Sequence, residues 1–353
     1  MLRALLSDDL PRSRALSAVL LVIFVGLALT PFLLPGSQSL NVAAKICYFI
    51  VLVASYDLLL GYTGIVSFAH TMFFGIGGYG VGISLYTLGP GWPAVLLGIA
   101  VALVLSLALA LAIGLFSLRV RAIFFAMITL AVASVFAILA SQLSWLTGGE
   151  DGRTYSVPPL LRPAFRLFDS PVFGVIINGR IVTYYLVFFG ALLLFLLMLR
   201  IVNSPFGRVL QAIRENDFRA EAIGYRTVLY RSIINCVSAA MATLAGVLCA
   251  LWLRYTGPAT TLSFDIMLDI LLMVVIGGMG TLYGAVLGAT IFLLAESYLQ
   301  NLMGLISHTT EGLPILPQLF HPDRWLLWLG LLFILSVYFF PTGIVGKLRG
   351  GHG

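Results

Sequence analysis

Residues 94–117 read AVLLGIAVALVLSLALALAIGLFS, a run without a single charged side chain. A helix needs about 20 such residues to cross the roughly 30 Å hydrocarbon core of a bilayer, so this run is long enough. Similar runs recur along the 353 residues, of which 60% are hydrophobic and 10% charged. A soluble domain carries about 25% charged residues, and a transmembrane β-barrel alternates in polarity, so both classes are excluded. The sequence predicts an all-α, polytopic transmembrane helical bundle.

The apolar runs, separated by charges and by Pro and Gly clusters, predict about ten membrane spans. They cover residues 15–34, 42–61, 66–88, 94–117, 122–146, 181–202, 228–253, 265–279, 282–300 and 325–341. The stretch 265–300 is interrupted only at Gly277–Thr281, so it could instead be one span and a re-entrant segment. Residues 1–353 then form a single transmembrane domain, with no room for a soluble catalytic domain.

The basic residues give the bundle a direction, because Lys and Arg collect on the cytoplasmic side of membrane proteins. An arrangement with the N-terminus in the cytoplasm places most of the 20 Lys and Arg inside. These are Arg3, Arg12, Arg14, Arg119, Arg121, Arg200, Arg208, Arg214, Arg219, Arg226, Arg231, Lys347 and Arg349. The five tryptophans all fall near span ends that this arrangement places outside. Both termini are therefore predicted to be cytoplasmic, with residues 147–180 as the longest outer loop. Because these charges are scattered between spans, they do not indicate a nucleic-acid partner.

The main cytoplasmic loop, residues 203–227, is predicted to form two short helices. Ser204 is a plausible N-cap with Pro205 in the first helical position, and Asp217 could cap a second helix that stops at Gly224. In the first helix, an apolar face (Phe206, Val209, Leu210, Ile213) opposes a polar face (Arg208, Gln211, Arg214, Glu215). Such a segment is typical either of a basic amphipathic helix on anionic lipid or of a docking element for a cytoplasmic protein.

Glycines and polar residues also cluster between Gly61 and Gly80. Residues 75–80 match the pattern GxGxxG, but a dinucleotide site needs that pattern between a strand and a helix, and here it lies inside a span. Two interpretations remain: small residues for close helix packing, or a broken helix that lines a translocation path. The candidates for the path are Gly61, Gly64, Ser67, His70, Gly75 and Gly77.

Ionisable residues within spans are few, and they are expected to face protein or water rather than lipid. Asp265, Asp269 and Glu296 lie toward predicted outer ends, Asp57 lies near an inner end, and His70 lies deeper. A hydrogen-bonded structural histidine is the favoured interpretation of His70. The chain has no pattern typical of catalytic residues or of a metal site. The Walker pattern GxxxxGK[ST] fails at Leu348, so any ATP is expected to be hydrolysed by another subunit.

Several segments, in the same order, resemble one known family. They are Gly61–Gly80, Leu146–Gly152, Ser204–Tyr225, Met273–Gly284 and Phe340–Gly346. Together they resemble the inner-membrane permease of branched-chain amino acid ABC transporters, LivM type. The most specific part is Ser-Pro-Phe-Gly-Arg, followed by Ala-Ile-Arg-Glu-Asn and Ala-Ile-Gly-Tyr. Gly78 and Ala285 depart from the family, which more often has Ala and Pro at these positions.

The resemblance implies the ABC importer permease fold in a bacterial inner membrane, and a transport subunit rather than an enzyme. The implied partners are a homologous second permease, two cytoplasmic ATPases that bind ATP and magnesium, and a periplasmic substrate-binding protein. This chain would hold no cofactor. Residues 147–180 would be periplasmic, and residues 203–227 would be the loop that couples to the ATPases. The implied coupling residues are Ser204, Pro205, Phe206, Gly207, Arg208, Ile213, Arg214, Glu215, Glu221, Ala222 and Gly224.

Three questions of function stay open at this point. The substrate is expected to be a branched-chain amino acid, but related permeases serve urea and short amides. A proton-coupled secondary transporter centred on His70 is an alternative of another class. The two permeases could be two copies of this chain or two different chains.

Overall fold

The computed structural model describes residues 13–34, 36–117, 122–166, 176–309, 321–340 and 343–349. Its α-helices, in order, are α1 (Arg14–Leu33), α2 (Ser37–Thr63), α3 (His70–Leu88), α4 (Trp92–Ser117), α5 (Ala122–Gln142), α6 (Ser144–Thr147), α7 (Gly179–Val202), α8 (Pro205–Glu215), α9 (Asp217–Ala222), α10 (Thr227–Leu253), α11 (Pro258–Thr261), α12 (Phe264–Gly277), α13 (Leu282–Thr309), α14 (Trp325–Phe339) and α15 (Gly343–Arg349). Two short antiparallel strands, β1 (Arg153–Thr154) and β2 (Tyr255–Thr256), pair with each other. The all-α prediction is confirmed. Of the basic residues predicted to be cytoplasmic, Arg3, Arg12, Arg119 and Arg121 lie outside the described residues.

The described residues contain eight helices long and apolar enough to cross a membrane, fewer than the ten spans predicted. Each predicted run still coincides with a helix. Helix α3 is long enough, with 19 residues, but its glycines and His70 make it less apolar. Helix α14 has 15 residues and is about 22 Å long, which is shorter than the roughly 30 Å bilayer core. The chain is a multi-pass membrane protein, as predicted.

The ambiguous stretch 265–300 forms two helices, α12 and α13, joined by the turn Gly278–Thr281. They pack closely because glycines face each other across the contact. A Cβ atom at Gly288 would lie 1.9 Å from the carbonyl oxygen of Met273, and one at Gly277 would lie 1.9 Å from that of Gly284. Helix α12 has 14 residues, about 21 Å, and reaches 20 residues only when α11 is counted with it.

Helix α2 is the centre of the bundle, and almost all of it is buried. It is surrounded by α7, α10, α12 and α13. Near its first turns, Lys45 Nζ lies 2.8 Å from Glu296 Oε2 of α13, so the two helices are joined by an ion pair. In contrast, α1 and α5 expose most of their apolar side chains, as helices at the outside of a membrane bundle do.

The predicted outer loop is fastened to the end of α10 by the strand pair β1–β2. The buried hydroxyl of Tyr155 donates to the carbonyl oxygen of Ala250, 3.0 Å away, and also lies 3.0 Å from Thr256 Oγ1. The described part of this loop therefore covers one end of the bundle and is held to α10 by backbone and side-chain bonds.

Candidate functional site

The loop 203–227 forms two short helices, α8 and α9, as the sequence predicts. Ser204 caps α8, because its hydroxyl accepts a hydrogen bond from the amide of Gly207, and Pro205 occupies the first helical position. The cap of α9 differs from the prediction. Asn216, not Asp217, supplies the capping oxygen, which accepts from the amide of Arg219 at 2.9 Å. Helix α9 ends at Ala222, and Gly224 follows in a left-handed conformation with φ of +96°.

One face of α8 holds the loop against the membrane-spanning helices. Gly207, Leu210 and Ile213 are buried, as the predicted apolar face requires. A Cβ atom at Gly207 would lie 1.9 Å from the carbonyl oxygen of Val202, so only glycine allows this approach to α7. The ring of Phe206 stacks on that of Tyr230 in α10, with 5.6 Å between centroids. These residues therefore hold α8 against the bundle, with Phe206 half-buried.

The opposite side of the loop faces away from the bundle. We call nine of the exposed residues the loop surface: Arg208, Gln211, Glu215, Phe218, Arg219, Glu221, Ala222, Ile223 and Gly224. Pro205, Arg214, Asn216, Tyr225 and Arg226 of the loop are exposed as well. Two of them are large and apolar, Phe218 (86% exposed) and Ile223 (69% exposed). Neither residue belongs to the coupling residues predicted from the sequence. The available signal was that Phe218 lies in, and Ile223 directly follows, a helix of six residues, which is too short to bury both of its sides.

Two contacts fasten α9 to the start of α10. Asp217 Oδ2 lies 2.7 Å from Arg231 Nη2, and the hydroxyl of Thr227 donates to Glu221 Oε1 at 2.6 Å. Glu221 is thus both a member of the loop surface and a structural acceptor. These two contacts connect α9 to α10.

Asn216→Ala is expected to loosen α9 while leaving α8 in place. Loss of an N-cap costs about 1 kcal/mol, which corresponds to about fivefold lower protection of the α9 amides. Hydrogen exchange measured by mass spectrometry on the purified protein tests this. Gln211→Ala, on the exposed side of α8, is the matched control and should leave the protection of α9 unchanged. Equal protection in the two variants would contradict the cap assignment.

At the last residue but one of α8, Arg214 reaches back into the bundle. Its guanidinium donates to the carbonyl oxygen of Gly61 near the end of α2. Helix α2 stops at Gly64, which has φ of +71° and lies beside the Arg214 side chain. Left-handed φ angles strain residues with a Cβ atom, so glycine suits this helix end. Arg214 therefore connects the loop to the central helix.

Asp57 lies one turn before Gly61 on α2 and is almost fully buried, with 1% of its surface exposed. Its Oδ1 accepts from the amide of Gly280 in the turn between α12 and α13, at 2.9 Å. A Cβ atom at Gly61 would lie 2.1 Å from that oxygen and 2.3 Å from the Gly280 nitrogen, so glycine at 61 makes this bond possible. Asp57 Oδ2 is buried and has no hydrogen-bond partner among the described residues.

The start of α15 contacts the same turn, Gly278–Thr281. A Cβ atom at Gly343 would lie 2.2 Å from the Cα atom of Gly278. Four segments therefore converge: the end of α2, the end of α8, the turn Gly278–Thr281 and the start of α15. We call this group of residues (Asp57, Gly61, Arg214, Gly280 and Gly343) the junction.

His70 lies away from the junction and is completely enclosed. Its Nε2 is 2.8 Å from Ser238 Oγ, whose own proton is donated to the carbonyl oxygen of Ser55. The hydroxyl has one proton, so Nε2 donates to Ser238 Oγ, and Nδ1 is buried without a hydrogen-bond partner among the described residues. The ring edge of Tyr56 lies against the imidazole, 4.9 Å between centroids. These contacts join α2, α3 and α10 and favour the structural interpretation of His70.

The remaining candidates for the translocation path are Gly64, Ser67, Gly75 and Gly77. The chain leaves helical conformation from Gly64 to Ala69, between α2 and α3, and Ser67 is buried there, accepting from the amide of Ala69 at 3.3 Å. Gly75 lies against the side chain of Leu262. A Cβ atom at Gly77 would lie 1.9 Å from the carbonyl oxygen of Thr243 in α10, and one at Gly246 would lie 1.9 Å from that of Phe74. At Gly77 the contacts thus favour close helix packing.

The chain matches the family described as the branched-chain amino acid transport system permease component, over residues 38–337. It belongs to this family. The LivM permease of Salmonella typhimurium, a high-affinity branched-chain amino acid transport protein, is 25% identical over 83% of this chain and 71% of its own length. The BraD permease of Pseudomonas aeruginosa is 26% identical over 83% of this chain and 89% of its own length. A probable LivM from Methanocaldococcus jannaschii is 30% identical over 46% of this chain and 45% of its own length. No solved structure matches the chain.

Family membership makes the chain a permease, a transport subunit and not an enzyme. The matched range contains the loop surface, His70 and every junction residue except Gly343. The resemblance to this permease family, which the sequence motifs indicate, is confirmed.

Proposed function

We propose that this permease is a subunit of an ATP-driven importer that carries branched-chain amino acids across a bacterial inner membrane. Its partners are a homologous second permease, two cytoplasmic ATPases and a periplasmic binding protein. The observation that carries the proposal is the loop surface, where Phe218 and Ile223 are exposed beside charged side chains. Exposed apolar residues rimmed by polar ones are typical of a protein interaction site.

The loop surface supports docking to an ATPase more than adsorption to lipid. Helix α8 turns its apolar face toward the bundle, where Leu210 and Ile213 are buried, so this face is not free to enter a lipid surface. Its exposed side carries Arg208 and Glu215, and α9 adds Arg219 and Glu221. A mixed-charge surface around two apolar residues fits a protein partner better than an anionic membrane.

The coupling proposed here follows from the connections of the loop. ATP-driven closure of the ATPases displaces α8 and α9. The displacement passes to α7, which Gly207 contacts, and to α10, which is bonded to Asp217 and Glu221. Tilting of these helices then alternates access along a path near Gly61–Gly80.

The contacts of His70 weigh against the proton-coupled alternative. A proton-carrying histidine needs access to water from one side at a time. His70 is instead enclosed by protein, and its protonated nitrogen is committed to Ser238. Urea and short amides remain alternative substrates within the same importer class, since the binding protein chooses the substrate.

Co-expression with the two ATPases, the second permease and the binding protein of the proposed importer, followed by reconstitution in vesicles, tests the function. Leucine uptake should require both ATP and the binding protein, and should be at least tenfold above the uptake without ATP. Radiolabelled urea is the matched substrate control. ATP-dependent uptake of urea without leucine would overturn the substrate class, and uptake by this chain alone, driven by a pH gradient, would overturn the importer. Full uptake with this chain as the sole permease would show that the two permease subunits of the importer are two copies of this chain.

A further inference from the structure

The junction contains a buried acidic group, Asp57, which interacts with the backbone of both Gly280 and Thr281 but keeps one carboxylate oxygen without a hydrogen-bond partner among the described residues. Asp57 Oδ1 accepts from the amide of Gly280, whereas Oδ2 is buried and has no hydrogen-bond partner in the part of the chain that the structure describes. Buried polar atoms without partners are rare in native proteins and call for a physical explanation. An unused carboxylate oxygen is best explained by a donor that reaches it in another conformation.

Arg214 is the cation that can serve this oxygen. It is close enough to Asp57 to interact with it electrostatically, yet its hydrogen bond goes to the carbonyl oxygen of Gly61. Asp57 and Gly61 are four residues apart on a helix and therefore lie on the same face, one turn from each other. The guanidinium thus has two acceptors along one face of α2: the neutral carbonyl that it now uses and a carboxylate one turn further in.

We infer that Asp57 is a positioning residue that receives Arg214 on Oδ2 when the loop is pushed toward the membrane, and so couples the loop to α2 and to the turn Gly278–Thr281. This inference rests on the proposed function, in which the ATPases displace α8. A guanidinium–carboxylate hydrogen bond is stronger than one to a neutral carbonyl, so the inward position exchanges the bond to Gly61 for a stronger one to Asp57. Oδ1 stays bonded to Gly280, and the turn between α12 and α13 therefore follows the movement.

The close glycine contacts explain why the displacement is transmitted rather than absorbed. Gly61 and Gly280 are in near-contact with each other, and Gly343 touches Gly278. The Gly61–Gly280 and Gly343–Gly278 contacts include backbone atoms of both partners, so a movement of one backbone segment moves the next. Arg214 is the only long side chain of the junction, and its two acceptors define two discrete arrangements.

Asp57→Asn in the reconstituted transporter is the main test. The amide oxygen can still accept from Gly280, but the negative charge is lost and the NH₂ group faces Arg214. ATPase association and the ATP hydrolysis rate should stay within about twofold of the unmodified transporter, whereas leucine taken up per ATP hydrolysed should fall at least fivefold. Asp57→Glu, which keeps the charge, should recover at least half of that ratio.

Glu296→Gln is the matched control, because it neutralises another carboxylate between the same helices, α2 and α13, away from the loop. Its uptake per ATP should remain within about twofold of the unmodified value. Should Asp57→Asn reduce the yield of folded protein, Arg214→Gln carries the test with the same expected fall. The double variant should be no worse than either single variant, since both remove the same bond.

Unchanged uptake per ATP in Asp57→Asn, or additive losses in the double variant, would overturn the inference. Failure of the proposed function is separate, since the unmodified transporter would then show no ATP-dependent leucine uptake.

Discussion

Gly77→Ala is expected to remove most of the folded protein from the membrane. A Cβ atom at this position would lie 1.9 Å from the carbonyl oxygen of Thr243 and 3.1 Å from the amide nitrogen of Val247. Both atoms are backbone and cannot rotate aside, so α3 and α10 would have to separate. Overpacking a core costs about 1–3 kcal/mol, and we expect the upper end here because no side chain can yield. Thermal unfolding in detergent, followed by fluorescence size-exclusion chromatography, measures the effect.

Gly26→Ala is the control for this prediction. Gly26 lies within α1, and a Cβ atom there would meet nothing within 4 Å. Alanine also has the higher helix propensity, by about 1 kcal/mol, so this variant should be at least as stable as the unmodified chain. Gly246→Ala, whose Cβ atom would lie 1.9 Å from the carbonyl oxygen of Phe74, should behave like Gly77→Ala. Equal unfolding temperatures for Gly77→Ala and Gly26→Ala would show that Gly77 does not serve packing.

Phe218→Ala is expected to abolish most transport without affecting the fold. Phe218 is 86% exposed, so truncating it removes little packing within this chain. Aromatic residues at the centre of an interface commonly contribute 2 kcal/mol or more, which corresponds to roughly 30-fold weaker association. Co-purification of the ATPases should therefore fall by at least tenfold, and ATP-dependent leucine uptake should fall with it.

Phe189→Ala provides the comparison, since Phe189 is also exposed (60%) but lies within the membrane-spanning helix α7. It should retain the ATPases at the level of the unmodified permease. The thermal stability of both variants should stay within a few degrees of the unmodified protein. Normal ATPase retention by Phe218→Ala would exclude the loop surface as the centre of the docking site.

The positions of the helices could be predicted from sequence because apolar runs of 20 residues have few alternatives. The loop was predictable for a similar reason. Ser204 and Pro205 predict where α8 starts, and the spacing of Leu210 and Ile213 predicts that it is amphipathic. Leu210 and Ile213 are buried, in agreement with this prediction. The cap of α9 was predicted one residue too late, because Asn216 and Asp217 are both good capping residues and only the backbone geometry chooses between them.

The junction could not be predicted because its contacts join residues that are far apart in sequence. Nothing in the neighbourhood of Asp57 indicates that Gly280 donates to it, 223 positions later. Arg214 was assigned to the polar face of α8, which is correct, but the sequence does not show that its guanidinium turns back to Gly61. Likewise, the glycine-rich sequence of α3 is compatible with a translocation path or with a closely packed helix interface. Only the position of the neighbouring helix backbone distinguishes these two roles.

Helix α10 has a consequence for how such a permease could be inhibited. It runs for 27 residues, about 40 Å, from the Asp217 and Glu221 contacts at one end to the Tyr155 contact and the strand β2 at the other. Each end of α10 is therefore bonded to a different loop. In the proposed importer, a molecule that clamps the strand pair β1–β2 is expected to restrain the other end of α10 as well, and so to slow the coupling to the ATPases without contacting the loop surface.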